Sequence, residues 1–197
     1  MKISKTSCAV QREPLKAPFG FKGSSLSELW QTVVTLESDQ GLTGVGLGTQ
    51  STLWSDATIF TAMSESDSNS MMLAITEDAL KIAVTKNWKN PIDLLEQLLP
   101  EVYDNAKRST NRNDLRLTFV LNALVAVDNA AWQLYSHQKK ITDFDAMLPN
   151  DIKPALSHRH EHLACIPLIS YNVSTEQIME EPFPEELKVD VSDIPAR

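Results

Sequence analysis

The chain has 197 residues, 42% of them apolar and 22% charged, with a formal net charge of −8. A chain of this size and composition can bury a core without a metal or disulfide staple, and its acidic balance with scattered basic residues argues against a nucleic-acid partner. No window reaches the ~18 apolar residues of a membrane span, and Met1-Lys2-Ile3-Ser4-Lys5 lacks the apolar run of a signal peptide. Cys8 and Cys165 show no ligand spacing, so reduced thiols in a cytoplasmic protein are expected.

In chain order, Ile3 to Val10 reads as a first strand. Pro14 to Gly23, with two prolines, two glycines and two aromatics, reads as a loop. The β-branched run Thr32-Val33-Val34-Thr35-Leu36 is a second strand, Ser38-Asp39-Gln40-Gly41 a turn, and Leu42 to Gly48 a third strand. All six glycines lie between Gly20 and Gly48; the hairpins therefore belong to the first fifty residues and helices to the long glycine-free stretch after them.

A helical region is expected from about Ser55 to Val84, with a polar break at Glu65-Ser66-Asp67-Ser68-Asn69-Ser70. Asn90-Pro91-Ile92-Asp93 is a helix start: Asn as N-cap, Pro at the first position and a carboxylate facing the positive end of the dipole. Ile92, Leu95, Leu98, Leu99 and Val102 supply its apolar face. The strongest helix runs from about Asp114 to His137, on the stripe Leu117, Val120, Leu121, Leu124, Val127, Ala131, Leu134 and Tyr135. After Lys140 prolines accumulate, and Cys165 to Tyr171 reads as one buried strand.

The chemistry-bearing groups are few. Gly44-Val45-Gly46-Leu47-Gly48 lacks the strand–helix context of a nucleotide loop and reads as a strand packed closely by another element. The histidines of His158-Arg159-His160-Glu161-His162 would share one face of an extended segment, as a Zn²⁺ site needs, but a solvated, pH-sensitive linker explains them more simply. Asp128, on the apolar stripe of the last helix, must be hydrogen-bonded or paired.

The order of these elements resembles the N-terminal capping domain of the mandelate racemase/muconate-lactonising branch of the enolase superfamily, with a dipeptide-epimerase flavour. The resemblance is carried by Trp30 to Ser38 with Gly41-Leu42-Thr43-Gly44-Val45-Gly46, by Ala123-Leu124-Val125-Ala126-Val127-Asp128-Asn129-Ala130-Ala131-Trp132, and by Ile166 to Tyr171, which is similar to a first barrel strand. It implies an α+β fold, a three-stranded antiparallel meander followed by a helical bundle. The expected division is a capping domain over 1–140, a linker over 141–165 and an incomplete barrel remnant over 166–197.

The resemblance also implies Mg²⁺-assisted abstraction of a proton α to a carboxylate, with capping-domain loops closing over a small carboxylate substrate. Those loops would be Lys16 to Ser24 and Gly48 to Asp56, placing Phe19, Phe21, Lys22, Thr49, Gln50 and Trp54 against substrate. No Lys-x-Lys base comes after Tyr171, and an eight-stranded barrel takes about 250 residues. Met179-Glu180-Glu181-Pro182-Phe183 resembles the strand that carries a metal-binding glutamate, making Glu180 the one metal ligand. The expectation is an internally deleted or truncated relative, inactive alone. The alternative is a non-catalytic module that self-associates or binds a partner through the helix face around Trp132 and Tyr135.

Overall fold

In a computed structural model, residues 1–21 and 23–158 are described, apart from the side chain of Phe21. The chain divides into two compact units, Met1–Pro154 and Ala155–Arg197. The fold is α+β, as expected: three antiparallel strands in the order β1-β2-β3, then helices. The proposed barrel strand at Ile166 to Tyr171 and the tail around Glu180 lie outside the described residues.

β1 spans Ile3–Phe21, β2 Ser24–Ser38 and β3 Thr43–Thr49. Alternation in β2 turns Trp30, Thr32, Val34, Leu36 and Ser38 into the protein and leaves Gln31, Val33 and Thr35 half-buried on the other face. The β2–β3 turn closes as expected. Gly41 takes a positive φ of 77° and donates to Ser38 O, while the Ser38 hydroxyl accepts from Gln40 and Leu42.

The expected loop at Pro14 to Gly23 is mostly strand. Phe19, Gly20 and Phe21 pair with Leu26, Ser25 and Ser24, and a register shift between Pro14 and Phe19 absorbs Pro18. In the sequence alone, two prolines read as a break. On an edge strand, proline gives up only an outward N–H, and an irregularity in register accommodates the rest. β1 and β2 thus run past the end of β3, which stops opposite Gln31, as a two-stranded ribbon.

Next come α1 (Thr52–Ser55), α2 (Ala57–Ala62) and α3 (Glu65–Ala83). The polar run expected to break the helix is instead the first turn of α3. The Ser64 hydroxyl accepts from Asp67 N, and Glu65 and Asp67 sit at the positive end of the dipole. α4 (Pro91–Thr110) starts as read, with Asn90 accepting from Asp93 N. Its buried side is Leu94, Leu98, Val102 and Ala106, so Leu94 rather than Ile92 opens the core stripe. α5 (Leu117–Lys139) is the central helix and α6 (Phe144–Met147) a single turn.

By length and composition α5 is apolar enough to cross a membrane, against the reading from sequence. Half of its most apolar window is buried in the fold. Phe119, Val120, Leu124, Val127 and Leu134 join the core formed with Val34, Leu36, Met72, Leu98 and Val102. Each such side chain contributes roughly 1.5–3 kcal/mol on burial.

Candidate functional site

The glycines of β3 decide how α5 meets the sheet. Their side of the strand is buried against the helix. A methyl built on Gly46 would sit 2.0 Å from Ala126 O and 2.3 Å from Ala130 N; one on Gly44 would sit 2.3 Å from Ala130 O. Backbone therefore lies against backbone, with Ala126 and Ala130 as the small residues on the helix side. The alternating glycines are a packing notch, as read from sequence, and not a phosphate loop.

That approach brings α5 side chains to the outer edge of β3. The Asn129 amide donates to Leu47 O at 2.8 Å, and the Asn122 amide to Thr49 O at 3.2 Å. Gln133 accepts from Val45 N, and His137 Nδ1 lies 2.7 Å from Thr43 O. Asn129, Gln133 and His137 recur every fourth residue, one side of the helix. The edge of the sheet is thus closed by a ladder of side chains rather than by another strand. Sequence reasoning missed this ladder, although a polar row beside an alanine row on an apolar helix was there to be read.

Asn122 extends the ladder into the expected specificity segment. Its Oδ1 accepts from Ser51 N at 2.7 Å while its Nδ2 holds Thr49 O. Thr49 is exposed and donates to Gln31 Oε1 at 2.6 Å. Gln50 is 3% exposed; its backbone N donates to Trp30 O and its Nε2 to Thr32 Oγ1 at 3.0 Å, while its Oε1 is buried without a partner among the described residues. Trp54 is 60% exposed on α1. Buried Asp56 caps α2 through Thr58 N and Ile59 N and accepts from Arg116 N at 3.2 Å, tying this segment to the start of α5.

The other expected loop is the far end of the ribbon. Phe19 is half-buried at the register of Leu26, five positions along β2 from the Gln31 that pairs with Thr49. At about 3.3 Å per residue that is roughly 16 Å, so the strands do not bring Phe19 and Thr49 together. Phe21 ends β1, and Lys22 lies outside the described residues.

At the root of the ribbon Glu28 takes the Arg12 guanidinium, with Nε at 3.0 Å, and the Trp30 indole N–H at 2.8 Å. Arg12 lies 5.1 Å over the Trp30 ring. The Arg12 hydrogen bond, then that of Trp30, holds the Glu28 carboxyl below its ordinary pKa. Glu65, from the first turn of α3, accepts from Ser27 N, Ser27 Oγ and Glu28 N, covering the edge of β2 where β3 has ended.

Asp128 is half-buried beside a cavity of about 10 Å³ lined by Pro91, Leu94, Leu95 and Leu124. Burial pushes its pKa up, and a hydrogen bond with Trp132 pulls it back. This is the satisfied carboxylate the sequence required. Trp132 and Tyr135, expected as an exposed face, are half-buried; Phe144 packs on Trp132 at 5.7 Å and Tyr135 meets it edge-on at 6.4 Å. The exposed apolar residues of α5 are instead Leu117 and Val125.

Among the described residues no group of three or more His, Cys, Asp or Glu side chains could hold a metal ion. Of the five-residue histidine cluster only His158 is described, and Glu180 lies outside. The segment Thr49 to Asp56 is held in place by Asn122, by the inward-turned Gln50 and by the Asp56 bond to Arg116 N.

No family model and no curated protein matches the chain. Solved structures do. A dipeptide epimerase from Enterococcus faecalis V583, complexed with Mg and the dipeptide L-Leu-L-Tyr, is 16% identical, with a TM-score of 0.43 over 71% of this chain and 32% of that one. An N-succinyl Arg/Lys racemase from Bacillus cereus is 21% identical, with a TM-score of 0.40 over 71% and 31%. The L-Ala-D/L-Glu epimerase from Bacillus subtilis is 19% identical, with a TM-score of 0.36 over 72% and 32%. The chain spans about a third of the length of these structures.

Proposed function

We propose that residues 1–154 form a capping domain of the mandelate racemase/muconate-lactonising type. It positions a substrate-facing turn, Thr49 to Asp56, and carries no catalytic group of its own. One observation supports this above the others. Two of the stretches that carried the resemblance, Trp30 to Ser38 with Gly41 to Gly46 and Ala123 to Trp132, lie against each other through the glycine notch. A motif pair that meets in space with matched small residues is more specific than either stretch alone.

The parent chemistry in this reading is Mg²⁺-assisted removal of a proton α to a carboxylate, on a small carboxylate substrate of the dipeptide or hydroxy-acid kind. The purified full chain then gives no Mg²⁺-dependent exchange of that proton for deuterium, followed by NMR in D₂O over a panel of dipeptides and hydroxy acids. Measurable exchange would overturn the non-catalytic assignment.

A second reading, a binding module without a role in catalysis, is favoured by the exposed Leu117 and Val125 on α5. In that case Leu117→Glu and Val125→Glu lower the apparent mass in light scattering. An unchanged mass rejects it.

A further inference from the structure

The sheet treats its two edges differently, and the difference can be traced residue by residue. Along β3, the groups bonded by α5 belong to Thr43, Val45, Leu47 and Thr49. The intervening glycines therefore turn their N–H and C=O toward β2, and pair there with Leu36, Val34 and Thr32. Gln31, Val33, Thr35 and Glu37 in turn direct theirs toward β1, where they pair with Gln11, Ala9, Ser7 and Lys5. The alternate residues Thr6, Cys8, Val10 and Arg12 then point their backbone groups away from the sheet. Trp30 O, which accepts from Gln50 N, fits the same alternation.

Several other stretches of edge are covered among the described residues. β3 is covered by α5, the overhang of β2 by Glu65. Met1 exchanges backbone bonds with Trp88, closing the start of β1. Pro14 falls at an outward position, where its missing N–H ends any ladder without harming the pairing with β2. From Thr6 to Arg12, no described residue hydrogen-bonds the outward groups of β1.

We propose that this open stretch pairs antiparallel with the same stretch of a second copy, about a two-fold axis at Ala9, joining the two sheets into one. An antiparallel ladder requires outward residues to face outward residues. With the axis at Ala9, Thr6 faces Arg12 and Cys8 faces Val10, each pair exchanging backbone bonds. On the exposed face Lys5 then stands opposite Glu13, Ser7 opposite Gln11, and Ala9 opposite itself. Opposite charges directly across a pair are favourable, and Ala9 is small enough for the close approach of a non-hydrogen-bonded pair. Moving the axis to Cys8 places Glu13 opposite Ile3, at the register shift. Moving it to Val10 places Lys5 opposite Leu15, beyond Pro14. Of these three axes only the one at Ala9 matches the charges, and this self-complementarity favours a second copy in that register.

Light scattering and sedimentation of the full chain, at tens of micromolar, give a dimer if this pairing forms. Val10→Pro removes an outward N–H and no bond to β2, and returns the chain to monomer with its far-UV circular dichroism retained. Lys5→Glu weakens the dimer roughly tenfold by setting like charges across both symmetry-related pairs. Adding Glu13→Lys restores it. An independent variant guards against misfolding of the proline form: Ala9→Cys, with Cys8 and Cys165 changed to Ser, oxidises to a covalent dimer, whereas Ser7→Cys in that background does not. A wild-type monomer overturns the proposal. So does a dimer indifferent to Val10→Pro, or one lost instead on Leu117→Glu, which belongs to the helix-face reading above. The capping-domain assignment stands or falls separately, on proton exchange.

Discussion

Replacing Gly46 with alanine tests whether the fold depends on backbone contact between β3 and α5. The added methyl falls 2.0 Å from Ala126 O and 2.3 Å from Ala130 N, and neither atom belongs to a side chain that can rotate away. The helix must back off by more than 1 Å to restore ordinary contact near 3.4 Å. Overpacking of this kind costs about 1–3 kcal/mol. Retreat of α5 also stretches the Gln133 and Asn129 bonds to Val45 N and Leu47 O, at about 1 kcal/mol each. Against this, alanine gains roughly 0.5–1 kcal/mol over glycine in a strand. The net is a loss of about 2–4 kcal/mol, a large part of the ~5–15 kcal/mol that holds a typical domain together. With an m-value near 2 kcal/mol/M, the urea midpoint falls by about 1–2 M. Gly41→Ala is the control. It has nothing within 4 Å and only its φ of 77° to lose, so about 1 kcal/mol is expected. Gly48→Ala, nearest to Ala126 N at 2.9 Å, falls between. If Gly46→Ala unfolds within about 0.3 M of wild type, the notch is not what sets the packing.

Three further substitutions probe single contacts. Asn129→Ala removes the donor to Leu47 O and costs about 1 kcal/mol in urea unfolding; a neutral result means water replaces the amide at no cost. Glu65→Ala strips the carboxylate from Ser27 N and Glu28 N, so the amides of these two residues exchange faster while those of Val34 and Leu36 do not. Uniform acceleration across the sheet contradicts a local role. For Asp128, burial raises the pKa, so its ionisation costs stability as pH rises through the folded value, and the cost is absent below the unfolded one. Asp128→Asn is therefore at least as thermostable as wild type at pH 7, and the gap closes as pH falls toward 4. A variant less stable at pH 7 by an amount that does not change with pH would show that the bond to Trp132, not burial, governs the site.

What could be read from the sequence was whatever depends on local chemistry. Asn90-Pro91-Ile92-Asp93 capped α4 as expected, because cap and dipole act within one turn. Ser38 to Gly41 turned the chain because a positive φ is a property of one residue. The failures were decided elsewhere. Pro14 and Pro18 read as a loop until β2 was there to pair with Phe19 to Phe21. Glu65 to Ser70 reads as a break on its polarity, yet Ser68 and Asn69 are buried, Ser68 with its hydroxyl 3.4 Å from that of Thr52 in α1. Trp132 and Tyr135 read as an exposed face because nothing local announces that Phe144 folds back on them.

The candidate site shows the same division more sharply. Thr49, Gln50 and Trp54 share one segment simply because they are close in sequence. That Gln50 points inward to Thr32 while Trp54 points out could not be read, because it depends on how β3 ends on β2. The seam that fixes them lies between residues more than seventy positions apart: Asn122 holds both Thr49 O and Ser51 N. The glycines let α5 come near enough for Asn122 to reach, and the same closeness brings Asn129 and Gln133 to the strand edge. Packing notch, sealed edge and fixed turn are thus one device with a single cause, the absence of a Cβ on alternate residues of β3.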